Sequence, residues 1–114
     1  MNQIDQIIQQ NEHELRRGVL VLSVLISLKN PQYGYSLIQL LEAKGIQIEG
    51  NTLYPLLRRL EKQTLLKSSW DIESTKPRKY YVITHNGEIV LEALKKTWLI
   101  TVKKMKGLIG DQNE

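Results

Sequence analysis

Residues 50–66 read GNTLYPLLRRLEKQTLL, and the reading of this stretch decides the fold. Leu53, Leu56, Leu57 and Leu60 fall at i, i+3, i+4 and i+7, the spacing of one apolar face on a helix from about Asn51 or Thr52 to Thr64. At about 100° per residue the opposite face presents Asn51, Pro55, Arg58 and Lys62, flanked by Thr52 and Arg59, with Tyr54 leaning sideways. Pro55 has no N–H to donate, so it is expected in the first turn, which favours Thr52 over Asn51 as the N-cap. A leucine face opposite an Arg/Lys face is common on solvated helices, so the neighbours of this helix must decide its meaning.

Upstream, residues 33–44 read as another helix, with Leu37, Ile38, Leu40 and Leu41 on its apolar face and Gly45 as a C-terminal cap. Ile46 and Ile48 alternate with Gln47 and Glu49, a short extended link. Helix, short turn and helix make a helix-turn-helix unit. Before it, residues 4–29 read as one long helix whose stripe runs through Ile4, Ile7, Ile8, Leu15, Val19, Leu22, Leu25 and Ile26. Asn30-Pro31 ends it, because proline disfavours helical geometry in the residue before it. Gly18 has two readings: close approach of a neighbouring helix, or a tolerated glycine costing about 1 kcal/mol.

Downstream comes a hairpin. Leu66, Ser68, Trp70 and Ile72 alternate with Lys67, Ser69 and Asp71, and RKYYVI at 78–83 supplies the second strand. Trp70 is expected in the core, and Tyr80 and Tyr81 point to opposite faces, so only one can be buried. Thr84 can cap a last helix over 85–110, with Gly87 as its weak point and residues 111–114 as a frayed polar tail. The expected fold is therefore mainly α with a small β-hairpin. A winged helix-turn-helix covers 1–84, including the N-terminal helix, and a long C-terminal dimerisation helix covers 85–110.

Bulk properties agree with one soluble domain. The chain has 114 residues, enough to bury roughly 65% of its unfolded surface. Hydrophobic residues make up 41% and charged residues 25%, as in globular proteins. The chain has no cysteine, which excludes disulfides and thiolate–metal sites, and no cofactor or metal is expected. The N-terminal stretch does not read as a secretory signal, and no apolar run approaches the ~20 residues of a membrane span, so a cytoplasmic address and no membrane partner are expected. His13-Glu14 resembles the start of a zinc-protease motif, but Arg17 stands where the second histidine is required. No nucleophile-elbow, Walker or dinucleotide motif is present, so an enzyme is not indicated.

Charge is localised. Residues 50–84 hold seven basic residues, Arg58, Arg59, Lys62, Lys67, Lys76, Arg78 and Lys79, against three acidic ones, and so carry the whole net charge of +4. This is the footprint a nucleic-acid binder would leave, and double-stranded DNA is the expected partner. A helix fits the major groove, and Asn51, Thr52, Tyr54, Arg58, Arg59 and Lys62 are residue types that meet phosphates and base edges. Lys76, Arg78 and Lys79 on the wing would hold the backbone, adding affinity rather than specificity. Tyr33 and Tyr35 are open to two readings, core packing through a bonded hydroxyl or a phosphate contact. The rival function is a winged-helix protein-interaction module without DNA binding. Such a module has no use for the paired arginines and the wing cations, and all of them remain.

The segments LRRGVLVLSVL, YGYSLIQLLE, GNTLYPLLRRLEKQTLL, PRKYYVIT and NGE, in this order over about residues 15–99, resemble the PadR family (phenolic acid decarboxylase regulator) of bacterial transcription factors. The length is similar to the short subfamily with a single C-terminal helix. The resemblance implies a homodimeric winged helix, usually a repressor, that reads an inverted repeat, often of the ATGT…ACAT type, with Thr52 through Glu61 on the recognition helix. The wing tip DIESTKPRK departs from the family in lacking glycines between its strands.

The last helix carries a heptad seam of Leu91, Leu94, Trp98, Thr101, Met105 and Leu108, expected to face the last and first helices of a second copy. Trp98 sits mid-seam, where two copies of its ring could sandwich a planar aromatic effector, with Leu15, Val19, Leu94 and Val102 as pocket walls. The resemblance adds that a tryptophan at the matching place lines the drug pocket of a multidrug-responsive member. The plainer alternative is that Trp98 only fills the interface.

Overall fold

The computed structural model describes residues 2–73 and 75–110. The expected polar tail at 111–114 lies outside them. In chain order the elements are α1 (Gln3–Arg17), α2 (Leu20–Ser27), β1 (Gln32–Tyr33), α3 (Gly34–Ala43), α4 (Gly50–Lys62), β2 (Leu66–Asp71), β3 (Arg78–Ile83) and α5 (His85–Gly110). The mainly helical fold with a small antiparallel sheet is the one the sequence leads one to expect.

The long N-terminal helix expected over 4–29 is instead two helices. At Gly18–Val19 the ladder tightens to an i→i+3 bond, Val19 N–H to the Arg16 carbonyl (3.1 Å), before Ser23 N–H resumes α-type bonding to Val19 (2.9 Å). A backbone unit without a Cβ, followed by a β-branched residue, is a weak point for helical bonding. The break separates two environments. α2 buries Ser23, Val24 and Leu25 in the core, whereas α1 buries no residue.

The core is built from Val24, Leu25 and Leu28 of α2 and its end, Leu37 and Leu41 of α3, Leu53, Leu57 and Leu60 of α4, and Leu66, Tyr81 and Ile83 of the sheet. Leu91 of α5 closes it at 1% exposure. This corrects the placing of Leu91 on the dimer seam. The first two turns of α5 lie against α2 and β3, so the heptad's first residue is spent inside its own protomer, and Leu94 next to it is partly buried against the same core.

The sheet has three strands, not two. β1 pairs with β3 (Gln32 opposite Tyr81, Tyr33 opposite Tyr80), and β3 pairs on its other side with β2 (Leu66 opposite Ile83 through Asp71 opposite Arg78), giving the order β1-β3-β2. Of the paired tyrosines, Tyr81 is buried and Tyr80 only partly so, as alternation requires. Trp70 departs from its expected place in the core: it is 62% exposed. It shares a face with Leu66 and Ser68, but the hairpin runs on past the helices that cover its base.

The corner between α4, β2 and α5 is held by short polar bonds. Thr64 adopts a left-handed conformation (φ 67°), and Leu65 N–H returns to the Leu60 carbonyl (2.9 Å), closing the end of α4. Thr84 donates its hydroxyl to the Thr64 carbonyl (2.6 Å) and accepts from Gly87 N–H (3.0 Å), capping α5 as expected. Gly87 is no weak point. A Cβ there would run into the Leu65 carbonyl oxygen and come within 2.6 Å of Ile83 Cγ1, so the glycine is what lets α5 pass this close.

Candidate nucleic-acid interface

The helix expected to read DNA begins two residues earlier than Thr52. Glu49 is its N-cap, with Thr52 N–H (3.0 Å) and Leu53 N–H (2.9 Å) both returning to the Glu49 carbonyl. Pro55 therefore lies in the second turn, where it leaves the Asn51 carbonyl without its usual i+4 donor. The burial pattern follows the leucine spacing. Leu53, Leu57 and Leu60 are buried, Leu56 is partly so, and Asn51, Thr52, Pro55, Arg58, Arg59 and Lys62 are exposed along the opposite face. This face is polar, cationic and accessible over three turns.

Tyr54 divides its surface between solvent and scaffold. It is 42% exposed, yet its ring lies so close to Gly34, in the first turn of α3, that any Cβ there would overlap it. A Cβ on Gly50 would also sit 3.3 Å from Tyr54 Cε2. The two glycines thus seat the ring across the turn of the helix-turn-helix.

Tyr33, on β1 at the N-cap of α3, belongs to a stack on the other face of the sheet. Its ring meets Tyr80 edge-on (5.4 Å between centroids, 69° between planes), and the Arg78 guanidinium lies 4.5 Å above it. Lys79 lies over the Tyr81 ring at 5.4 Å. Tyr35 is exposed. Lys76 and Arg78 are also exposed, near the wing tip.

Glu61 was missed by the sequence reading. Its carboxylate accepts from the Ser68 hydroxyl (2.5 Å) and lies 3.9 Å from Lys79 Nζ, so it joins the end of α4 to both strands of the wing. Only the strand register reveals this, since it brings Lys79, distant in the chain, beside Glu61 and Ser68.

The residues expected to line an effector pocket are not brought together within one protomer. Leu15 is exposed on α1, Val19 sits at the helix break, and Trp98 and Val102 lie well along α5, exposed and partly buried respectively. Instead a groove of about 790 Å³ runs between α1–α2 and the α3–α4 link, from Arg16, Arg17 and Val19 to Glu42, Glu49 and Thr52. None of Leu15, Leu94, Trp98 and Val102 lines it. Of the seam, Trp98, Thr101, Met105 and Leu108 are exposed. No described helix is long and apolar enough to cross a membrane.

The model of the PadR-like transcriptional regulator family matches residues 21–93, from α2 to the part of α5 that lies on the core. This chain belongs to the PadR-like family. Among solved structures, it is 47% identical to a PadR family transcriptional regulator from Eggerthella lenta, with a TM-score of 0.88 over 93% of this chain and 95% of that one. It is 29% identical to a PadR-like transcriptional regulator from Bacillus cereus, with a TM-score of 0.73 over 84% of this chain and 96% of the other. An uncharacterized protein of Lysinibacillus sphaericus is 33% identical over 90 residues, covering 75% of this chain and 83% of the relative. In this PadR-like chain α4 is the second helix of the helix-turn-helix and β2–β3 form the wing.

Proposed function

We propose that the protein is a sequence-specific DNA-binding regulator, acting as a homodimeric and ligand-responsive repressor on an inverted-repeat operator. The observation that carries this reading is the uncovered face of α4. Asn51, Thr52, Arg58, Arg59 and Lys62 stand clear of the core while Leu53, Leu57 and Leu60 anchor the helix, and Glu61 ties it to a cationic wing. Such a face enters a major groove without rearrangement, and the wing cations reach the neighbouring backbone. Arg58 and Arg59 are the residues for base edges, because a guanidinium can bond guanine through two parallel donors.

Dimerisation is supported by apolar surface that a single chain leaves in water. Trp98, Leu99, Ile100, Met105, Leu108 and Ile109 on α5, and Ile4, Ile7, Ile8 and Leu15 on α1, are all exposed. A two-fold pairing in which α5 meets the partner's α5 and α1 would cover both sets. It would also bring two Trp98 rings together, with Leu15, Val19, Leu94 and Val102 nearby, as a seat for a planar aromatic effector. Residues 85–110 are thus assigned to dimerisation beyond their first two turns, and 1–84 to the DNA-binding unit.

The test is selection of bound fragments from the source genome with purified protein, followed by sedimentation of the protein alone and with the recovered duplex. Recovery of a common inverted repeat, bound by a species of twice the chain mass, is expected. Equal retention of recovered and scrambled duplexes at every salt concentration would refute specific recognition.

A further inference from the structure

Trp70 and Ile72 are where alternation and burial part company. Trp70 lies on the face of the wing that holds buried Leu66, Ile72 follows just past the end of β2, and both are among the most exposed apolar side chains of the sheet region, at 62% and 75%. Two large apolar groups left in water on a projecting hairpin ask for an occupant.

Their surroundings restrict its chemistry. Lys79 is the cross-strand neighbour of Trp70, and Arg78 stands opposite Asp71. Lys76 follows along the chain, while Lys67 and Arg78 alternate onto the opposite face, so the hairpin is cationic on both sides, with Lys79 beside Trp70. The Trp70 face is also the one turned toward α4, because Ser68 on it bonds Glu61. A partner that is anionic, yet offers apolar surface at the same place, fits this surface. A duplex does so along its edge, where each phosphate adjoins a carbon-rich deoxyribose. A helix in the major groove and a hairpin at the next minor groove bracket the one sugar–phosphate strand that separates the two grooves.

We propose that Trp70 and Ile72 pack against the deoxyribose wall of the minor groove beside the major groove occupied by α4. Lys79, on the same face as Trp70, takes the adjoining phosphate. This rests on the DNA-binding reading above and adds to it an uncharged share of the affinity, since apolar packing on sugars releases no counterions. The indole face also makes its contact without regard to base identity.

Trp98→Phe leaves Trp70 as the sole tryptophan, and a duplex of about 30 base pairs carrying an ATGT…ACAT inverted repeat is the probe. Emission from Trp70 is expected to change saturably as the duplex binds. In the otherwise wild-type chain, Trp70→Ala should weaken binding about tenfold with the salt slope unchanged, and Trp70→Phe should recover most of the loss. Trp70 is exposed, so neither variant should lose its fold. Wild-type affinity in Trp70→Ala, or unchanged Trp70 emission at saturation, overturns the inference while leaving DNA binding intact. β2 is an edge strand, so a second copy is the other occupant to consider. If Trp70→Ala lowers the sedimenting mass and leaves duplex affinity alone, the pair is a protein contact and the inference fails. If the wild type holds no duplex even at about 50 mM salt, where backbone contacts alone retain DNA, the DNA-binding reading itself falls.

Discussion

The ring of Tyr54 on α4 occupies the space that a side chain on Gly34 of α3 would need. The two helices of the helix-turn-helix are therefore fitted to each other through an aromatic ring on one and a missing Cβ on the other. Gly34→Ala should expel the ring. Because that ring is at the end of a side chain with solvent beside it, the cost should be modest, about 1 kcal/mol in urea unfolding. In a double-mutant cycle Gly34→Ala should be less costly in a Tyr54→Ala background, by at least about 0.5 kcal/mol. Additive effects would mean that the two residues do not constrain each other.

Gly87 presents the opposite case, since the obstacle is backbone. Gly87→Ala should gain about 1 kcal/mol of helix propensity, yet the collision with the Leu65 carbonyl cannot be relieved by a rotamer change. Overpacking of this kind costs about 1–3 kcal/mol or more, so a net loss of roughly 2 kcal/mol is expected from chemical denaturation. A stabilised Gly87→Ala would show that α5 does not pass this close.

Thr64 holds a left-handed conformation that costs a β-branched residue about 1–2 kcal/mol. Thr64→Gly removes that cost but forfeits the bond from Asn86 Nδ2 to Thr64 Oγ1 (3.1 Å), which is exposed and worth less. A gain of about 0.5 kcal/mol is expected for Thr64→Gly. Thr64→Ala loses the bond and keeps most of the strain, so it should lose stability by about as much. The two variants moving the same way would contradict this account.

Glu61 places a carboxylate 3.9 Å from a wing lysine that is proposed to meet DNA. Glu61→Gln keeps an oxygen for the Ser68 hydroxyl while removing the charge. Duplex affinity at low salt should rise several-fold, with a salt slope steeper by up to about one. Lys79→Ala should flatten the slope by about one and weaken all sequences alike. Arg58→Ala or Arg59→Ala, where the side chain reads a base, should cost about 1–3 kcal/mol and relax specificity at that position. Titrations of operator and scrambled duplexes at several salt concentrations separate these outcomes.

Local periodicity made α4 legible. Four leucines at helical spacing define its buried face, and everything opposite is then exposed by geometry. The same logic shows that only one of Tyr80 and Tyr81 can be buried, and the fold buries Tyr81. What escaped depends on contacts between distant parts of the chain. β1 is two residues long, too short for a pattern, and exists because β3 offers it an edge. Trp70 has the alternation of a buried residue, but periodicity reports which face a residue is on, not how far the covering layer extends. Leu91 fits a heptad, but a heptad presumes one environment along the helix, and α5 passes from core to solvent. Glu61 is one acid among many until the strand register sets Ser68 and Lys79 beside it. Pro55 was placed by the rule that proline prefers a first turn; the Glu49 cap, out of line with the usual N-cap preferences, moved it to the second.

α1 is fifteen residues long and buries none of them. Its local support includes an Asn2 cap on Asp5 N–H (2.7 Å), a bond from the Asn11 amide to the Ile7 carbonyl (2.9 Å) and the exposed pairs Arg16–Glu12 and Arg17–Glu14. A helix of this length held by local terms alone is marginal in water. With the proposed second copy covering Ile4, Ile7 and Ile8, its order is linked by mass action to association, and helicity then depends on concentration as well as on the chain. Dilution should melt this segment well before it touches the leucine core, and circular dichroism would register association as a gain of helix.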